Sequence, residues 1–183
     1  MKQAILVGLT GSIACYKTCD IIRLLRKKGY SVTPVMTKEA NAFITPLTLQ
    51  TVSANKVFSD MFAGANEWDP CHIALAQRAD LVLIAPATAN IIGKLAHGIC
   101  DDLLTCVTVS TKAPVLVAPA MNGNMYKNPI VQDNIARLKR AGFRFVGPAK
   151  GDLACGTADI GRLAEPEKIV AEAMKALKKH DRC

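Results

Sequence analysis

Five short runs are mainly apolar: Ala4 to Leu9, Val32 to Met36, Leu81 to Ala85, Val115 to Ala118 and Phe143 to Val146. Continuous rather than alternating hydrophobicity marks strands buried on both faces, as in a parallel sheet. Amphipathic stretches lie between them, from Ser12 to Lys28, Asp69 to Arg78, Asn90 to Ser110 and Pro129 to Ala141, and each predicts a helix. A last helix is expected from Pro166 to Lys179. Strand and helix in alternation predict a three-layer α/β domain, doubly wound around a mainly parallel sheet. Pro34 falls inside the second run, where a central ladder position would lose a donor, so a bulge or an offset ladder is expected there. No repeat or linker interrupts the pattern, and residues 1–183 read as a single domain.

The opening run is short and continues into Thr10-Gly11-Ser12 without a cleavage site, so it reads as a strand and not as a signal peptide. No apolar stretch reaches the roughly 18 residues of a spanning helix. Half of the 183 residues are hydrophobic and 21% are charged, which excludes disordered and collagen-like classes. The net charge is +8, but the basic residues are scattered. Their densest groups, Arg23, Arg26, Lys27, Lys28 and Lys175, Lys178, Lys179, sit near helix ends, where they complement the dipole. With one Trp, three Tyr and five Phe and no basic–aromatic interleaving, nucleic acid is not the expected partner. A phosphorylated small molecule suits the charge. Seven cysteines make at least one unpaired, none forms Cys-x-x-Cys, and no metal site is expected. Most read as small core residues in a reducing cytoplasm.

In a doubly wound sheet, ligands bind beyond the carboxyl ends of the strands. That rule selects the loops Thr10-Gly11-Ser12, Thr37-Lys38-Glu39, Pro86 to Ile91, Pro119 to Met125 and Gly147 to Pro166. Gly11 and Ser12 stand between a strand and a helix, where Gly lets backbone approach an anion and Ser either caps the helix or bonds a phosphate oxygen. Thr37 and Lys38 add a hydroxyl and a charge. Small residues with Thr88 and Asn90 suit a flat ligand with polar edges, or equally a capped helix start. Asn122, just past a strand, is placed to hold a carboxylate or a carbonyl, although Asn is also a common turn residue.

The fifth loop, 148–166, is long, and such segments are often lids or binding loops. Cys155, followed by a Gly in this loop, is oddly placed for packing and is a candidate proton donor, with a reference pKa of about 8.5. His72, at the start of a helix, is a candidate base, though a structural His fits the position too. His97 and His180 carry no such expectation.

Taken together, these loops resemble the flavin-dependent cysteine decarboxylases. The resemblance rests on Gly11-Ser12-Ile13-Ala14, His72-Ile73 with Ala79-Asp80, Ala85-Pro86-Ala87-Thr88-Ala89-Asn90, Asp101-Asp102-Leu103-Leu104, Pro119-Ala120-Met121-Asn122 and Leu153-Ala154-Cys155-Gly156. It covers nearly the whole chain. What it implies is a flavodoxin-like sheet, bound FMN and a homo-oligomer (a trimer, or a dodecamer of trimers) with active sites at subunit interfaces. By the same resemblance, Gly11, Ser12, Ile13, Thr37, Lys38, Glu39, Thr88, Ala89, Asn90, Ile91 and Ala120 bind FMN. His72 is then the base, Cys155 the proton donor and Asn122 the carboxylate ligand, while Asp152, Leu153 and Ala154 line a closing flap. The implied reaction converts 4′-phosphopantothenoylcysteine to 4′-phosphopantetheine in coenzyme A synthesis, through a thioaldehyde and an enethiol, with no net redox change. The ligase that makes the substrate is expected as a separate protein or as a segment this chain does not carry.

Three departures from the resembling sequences are visible. Asp159 and Ile160 stand where a Gly-x-Gly pattern commonly leads to the Arg matched by Arg162, Ile91 replaces a Thr, and Tyr126 replaces a frequent Trp. The competing readings are a peptidyl-cysteine decarboxylase of lantibiotic maturation and a non-catalytic phosphatase-binding relative. A flavin prenyltransferase shares the fold but not the His with the Cys flap.

Overall fold

The computed structural model describes residues 2–62, 71–152, 156 and 158–180. Ala4–Leu9 (β1), Cys15–Lys27 (α1) and Ser31–Met36 (β2) are followed by a 3-10 turn at Lys38–Ala42, by Pro46–Ser53 (α2) and by Cys71–Arg78 (α3). Next come Leu81–Ala87 (β3), Ala89–Ala96 (α4), Leu103–Ser110 (α5) and Val115–Pro119 (β4). Gly123–Lys127 (α6), Pro129–Arg140 (α7), Arg144–Phe145 (β5), Ala149–Asp152 (β6), Ala158–Arg162 (β7) and Pro166–His180 (α8) complete the order.

All pairings within the main sheet are parallel, in the order β2-β1-β3-β4-β5, and β6 pairs with β7 as a separate antiparallel hairpin. Successive strand side chains enter opposite layers. Ile5, Val7, Leu81, Leu83 and Leu116 face a core shared with α1 and α8, built on Ile21, Leu25, Ile169 and Ala173. Leu6, Val82, Ile84, Val115 and Val117 face the other core, with Ile92, Leu104, Ile135 and Leu138. Burial on both faces is why the strands read as unbroken apolar runs. The expected doubly wound α/β architecture is the one observed.

Pro34 needs neither a bulge nor an offset. β2 is the edge strand, in unbroken register with β1, and the Pro34 carbonyl accepts from Phe58 N–H on the outer side. Its missing N–H therefore faces the sheet edge, where Pro is tolerated.

Other expectations need correction. The stretch from Asn90 to Ser110 is two helices, not one. Gly98 takes a left-handed φ of 69° after α4, and Asp102 opens α5 through a capping box with Thr105. The 148–166 segment contains a strand pair, where an irregular loop was expected. Of the described cysteines, Cys15 alone is buried; Cys19, Cys71 and Cys106 are half-buried and Cys100 is exposed. Among the described residues, no helix is long and apolar enough to cross a membrane.

Candidate active site

The order of the sheet reverses between β1 and β3. β1 passes to β2 on one side, and the chain then returns to place β3 on the other. Loops leaving neighbouring strands in opposite directions open a crevice at their tips.

Two hydroxyls brace the floor of this crevice. Thr10 Oγ1 donates to the Pro86 carbonyl at 2.7 Å and accepts from Thr88 N–H at 3.1 Å. Thr18 on α1 donates to the Ala85 carbonyl at 2.8 Å. Cys15 Sγ donates to the Thr10 carbonyl at 3.1 Å, and burial pushes this thiol up to a pKa of about 11, so it stays protonated and structural.

Above the floor, the loop after β1 runs against the turn after β2. A Cβ on Gly11 would fall 2.6 Å from Glu39 Cβ, so only glycine admits this approach. Thr37 is 5% exposed, and its Oγ1 has no hydrogen-bond partner among the described residues. A buried hydroxyl without a partner is costly, and Thr37 is one of the residues that line a cleft at these strand tips. Ser12 Oγ accepts from Ala14 N–H at 3.3 Å, and Thr88 caps α4 by accepting from Ile91 N–H at 3.4 Å. The helix starts that follow add peptide dipoles favourable to an anion.

These loops enclose a cleft of about 270 Å³. It is lined by Gly11, Ser12, Thr37, Glu39, Thr88, Ala89, Asn90, Ile91 and Ala120, all expected from the sequence, by Thr10, Met121 and Met125, which lie in the selected loops but carried no individual role, and by Asp102, which lies outside those loops. Ile91, Ala120 and the methionines make the apolar part of the lining. Asp102 is not a bare charge beside the cleft, because Lys94 Nζ lies 3.1 Å from its carboxylate and 2.8 Å from that of Asp101. Burial lowers the Lys94 pKa, but the hydrogen bonds to Asp101 and Asp102 outweigh it and leave the ammonium more basic than usual. The Lys94 hydrogen bond in turn holds the Asp101 carboxyl below the ordinary range. An unpartnered hydroxyl, a glycine cradle, two helix starts and an apolar wall fit a planar ring carrying a phosphate.

The remaining expected residues lie elsewhere. Ile13 is 56% exposed and Lys38 is exposed, both outside the lining. His72 is half-buried in the first turn of α3, which packs against α5, and does not line the cleft of its own chain. Asn122 caps α6, accepting from Asn124 N–H at 2.9 Å, next to the cleft residue Met121. Asp152 ends β6; Leu153, Ala154 and Cys155 lie outside the described residues.

Comparison with known proteins follows the same lines. The chain is 49% identical over 169 residues to the coenzyme A biosynthesis bifunctional protein CoaBC of Vibrio vulnificus (strain YJ016), covering 92% of this chain and 42% of that protein. It thus spans less than half the length of such relatives. It is 44% identical over 179 residues to the "Probable phosphopantothenoylcysteine decarboxylase" of Streptococcus mutans serotype c, covering 97% of this chain and all of that one (100%). Among solved structures, a cysteine-to-serine variant of PPC decarboxylase complexed with pantothenoylaminoethenethiol superposes with a TM-score of 0.86 at 31% identity, covering 97% of this chain and 100% of that chain. The resemblance read from the loops is therefore borne out. Residues 1–178 match the flavoprotein family, and the chain belongs to it.

Proposed function

We propose that the chain is an FMN-dependent carboxy-lyase that converts 4′-phosphopantothenoylcysteine to 4′-phosphopantetheine and CO2. The observation that carries this reading is the unpartnered hydroxyl of Thr37, a residue that lines, together with Gly11, the cleft at the sheet's reversal point. It marks a place for a phosphate, and the apolar wall of Ile91, Ala120 and Met121 suits a ring beside it.

Thr37, Ser12 and the backbone from Gly11 to Ile13 would hold the phosphate, and Thr88 to Ile91 with Ala120 the ring. Bound flavin supplies a reversible electron sink β to the substrate carboxylate, by transient oxidation of the thiol-bearing carbon to the thioaldehyde level, with no net redox change. The protein's own groups do the rest. Asn122 holds the carboxylate that departs, leaving an enethiol. His72 accepts a proton on the oxidising leg, and Cys155 returns one on the reducing leg. The 148–166 hairpin covers the site and excludes water.

Since His72 lies outside the cleft of its own chain, the reading places it at a neighbouring subunit's cleft, in a homotrimer or a dodecamer of trimers. The reading carries a cytoplasmic location, and the ligase that supplies the substrate is the expected partner. The aminoethenethiol in the cysteine-to-serine relative supports Cys155 as the final proton donor.

The test is mass analysis of products from phosphopantothenoylcysteine and, separately, from a peptide ending in cysteine, with no added reductant. Loss of one CO2 from the small substrate alone is expected. Turnover of the peptide alone, or of neither, contradicts the reading. In Cys155→Ser the decarboxylated enethiol is expected to accumulate, and full turnover there would remove Cys155 from the mechanism.

A further inference from the structure

Asp159 is one of the positions where the resemblance in sequence breaks, and the structure gives this residue a partner. Both of its carboxylate oxygens lie 2.7 Å from Lys127 Nζ, which joins β7 to the C-terminal residue of α6. The carboxylate is aimed by its own backbone, accepting from Ile160 N–H at 2.7 Å. The charged groups facing it are Lys127 on α6 and Lys150 on β6.

Three further contacts, two of them between Met121 and Gly161, bring the same two segments together. Met121 N–H donates to the Gly161 carbonyl at 2.9 Å. Asp159 packs on the backbone of Gly123 so closely that a Cβ there would fall 2.1 Å from Oδ2. A Cβ on Gly161, whose φ is +143°, would fall 2.1 Å from the Met121 carbonyl oxygen. Two glycines thus clear the space in which the hairpin meets the turn, and the ion pair closes over its far end. That turn carries Met121 and Met125 of the cleft wall, with Asn122 between them.

We propose that Lys127 and Asp159 form a latch that seats the β6–β7 hairpin on the 121–127 turn and so sets how the covering segment meets the cleft wall. They are positioning residues, and neither touches reacting atoms. The latch rests on the decarboxylase reading only for its effect on turnover.

The test uses the flavin-loaded protein and three variants, Lys127→Asp, Asp159→Lys and the double reversal. Amide exchange is followed in the peptides that contain Met121 and Ile160. Each single reversal is expected to speed exchange about two- to fivefold, the range for a part-exposed ion pair, and the double reversal to return it toward the parent. The same singles raise KM for phosphopantothenoylcysteine, while kcat and flavin absorbance hold. Exchange unchanged in the singles, or no recovery in the double, overturns the latch. Should a reversal fail to fold, the parent decides: its exchange at these amides rises with salt if an ion pair seats the hairpin, and is salt-independent if not. Exchange needs no substrate, so a protein that never decarboxylates yet shows the charge-dependent pattern keeps the latch and loses the function.

Discussion

Thr10 accepts the amide of Thr88 at 3.1 Å, so one hydroxyl couples the loop after β1 to the loop after β3. Because the same oxygen donates to Pro86 and Thr10 is 2% exposed, its removal takes a partner from the part-buried Thr88 amide and from the buried Pro86 carbonyl. Thr10→Val is therefore expected to lower stability by about 1–3 kcal/mol in denaturant unfolding, and to weaken flavin uptake along with it. Thr10→Ser, which keeps the hydroxyl, should lose much less. Equal losses in the two variants would mean that packing, and not the bridge, holds the loops.

Thr37 has the opposite signature. Its hydroxyl has no partner among the described residues, so Thr37→Val removes a buried polar atom without breaking a protein hydrogen bond. The flavin-free protein should be as stable as the parent or more so. Flavin affinity should fall about 10- to 100-fold, as for loss of a hydrogen bond to a charged group. Stability and affinity falling together would indicate an ordinary structural threonine.

Burial raises the Cys15 pKa from 9.0 to about 11. A group whose folded pKa lies above its unfolded one binds its proton more tightly when folded. Its contribution is intact below pH 9 and is lost as pH rises through the window from 9 to about 11. Thermal melts should fall across that window in the parent and less steeply in Cys15→Ala. Identical slopes would show that the alkaline loss arises elsewhere.

The strands were legible because parallel strands buried on both faces leave unbroken apolar runs, and 4–9 was placed at its observed bounds. The loops beyond them were legible because the doubly wound plan puts strand tips together. What escaped was set by single residues inside otherwise apolar sequence. Gly98 and the Asp102 cap split one expected helix, although Asp-x-x-Thr at 102–105 is a readable capping pattern. β6 and β7, with sequences AKGD and ADIGR, carry no alternation that announces a strand, because the hairpin is held by the turn it docks on rather than by a core of its own. Thr10 lay in a selected loop without a role of its own, and Asp102 lay outside those loops, because their roles depend on Pro86, Thr88 and Lys94, partners that only the fold brings near.

The account depends on the strand-tip cleft being a phosphate cradle with an apolar wall. Calorimetric titration of the flavin-free protein with FMN, and in parallel with riboflavin, tests this most directly. FMN should bind at least about 100-fold more tightly than riboflavin, and Thr37→Val should narrow that gap by weakening FMN alone. Equal affinity for the two flavins, or no binding of either, would contradict the account.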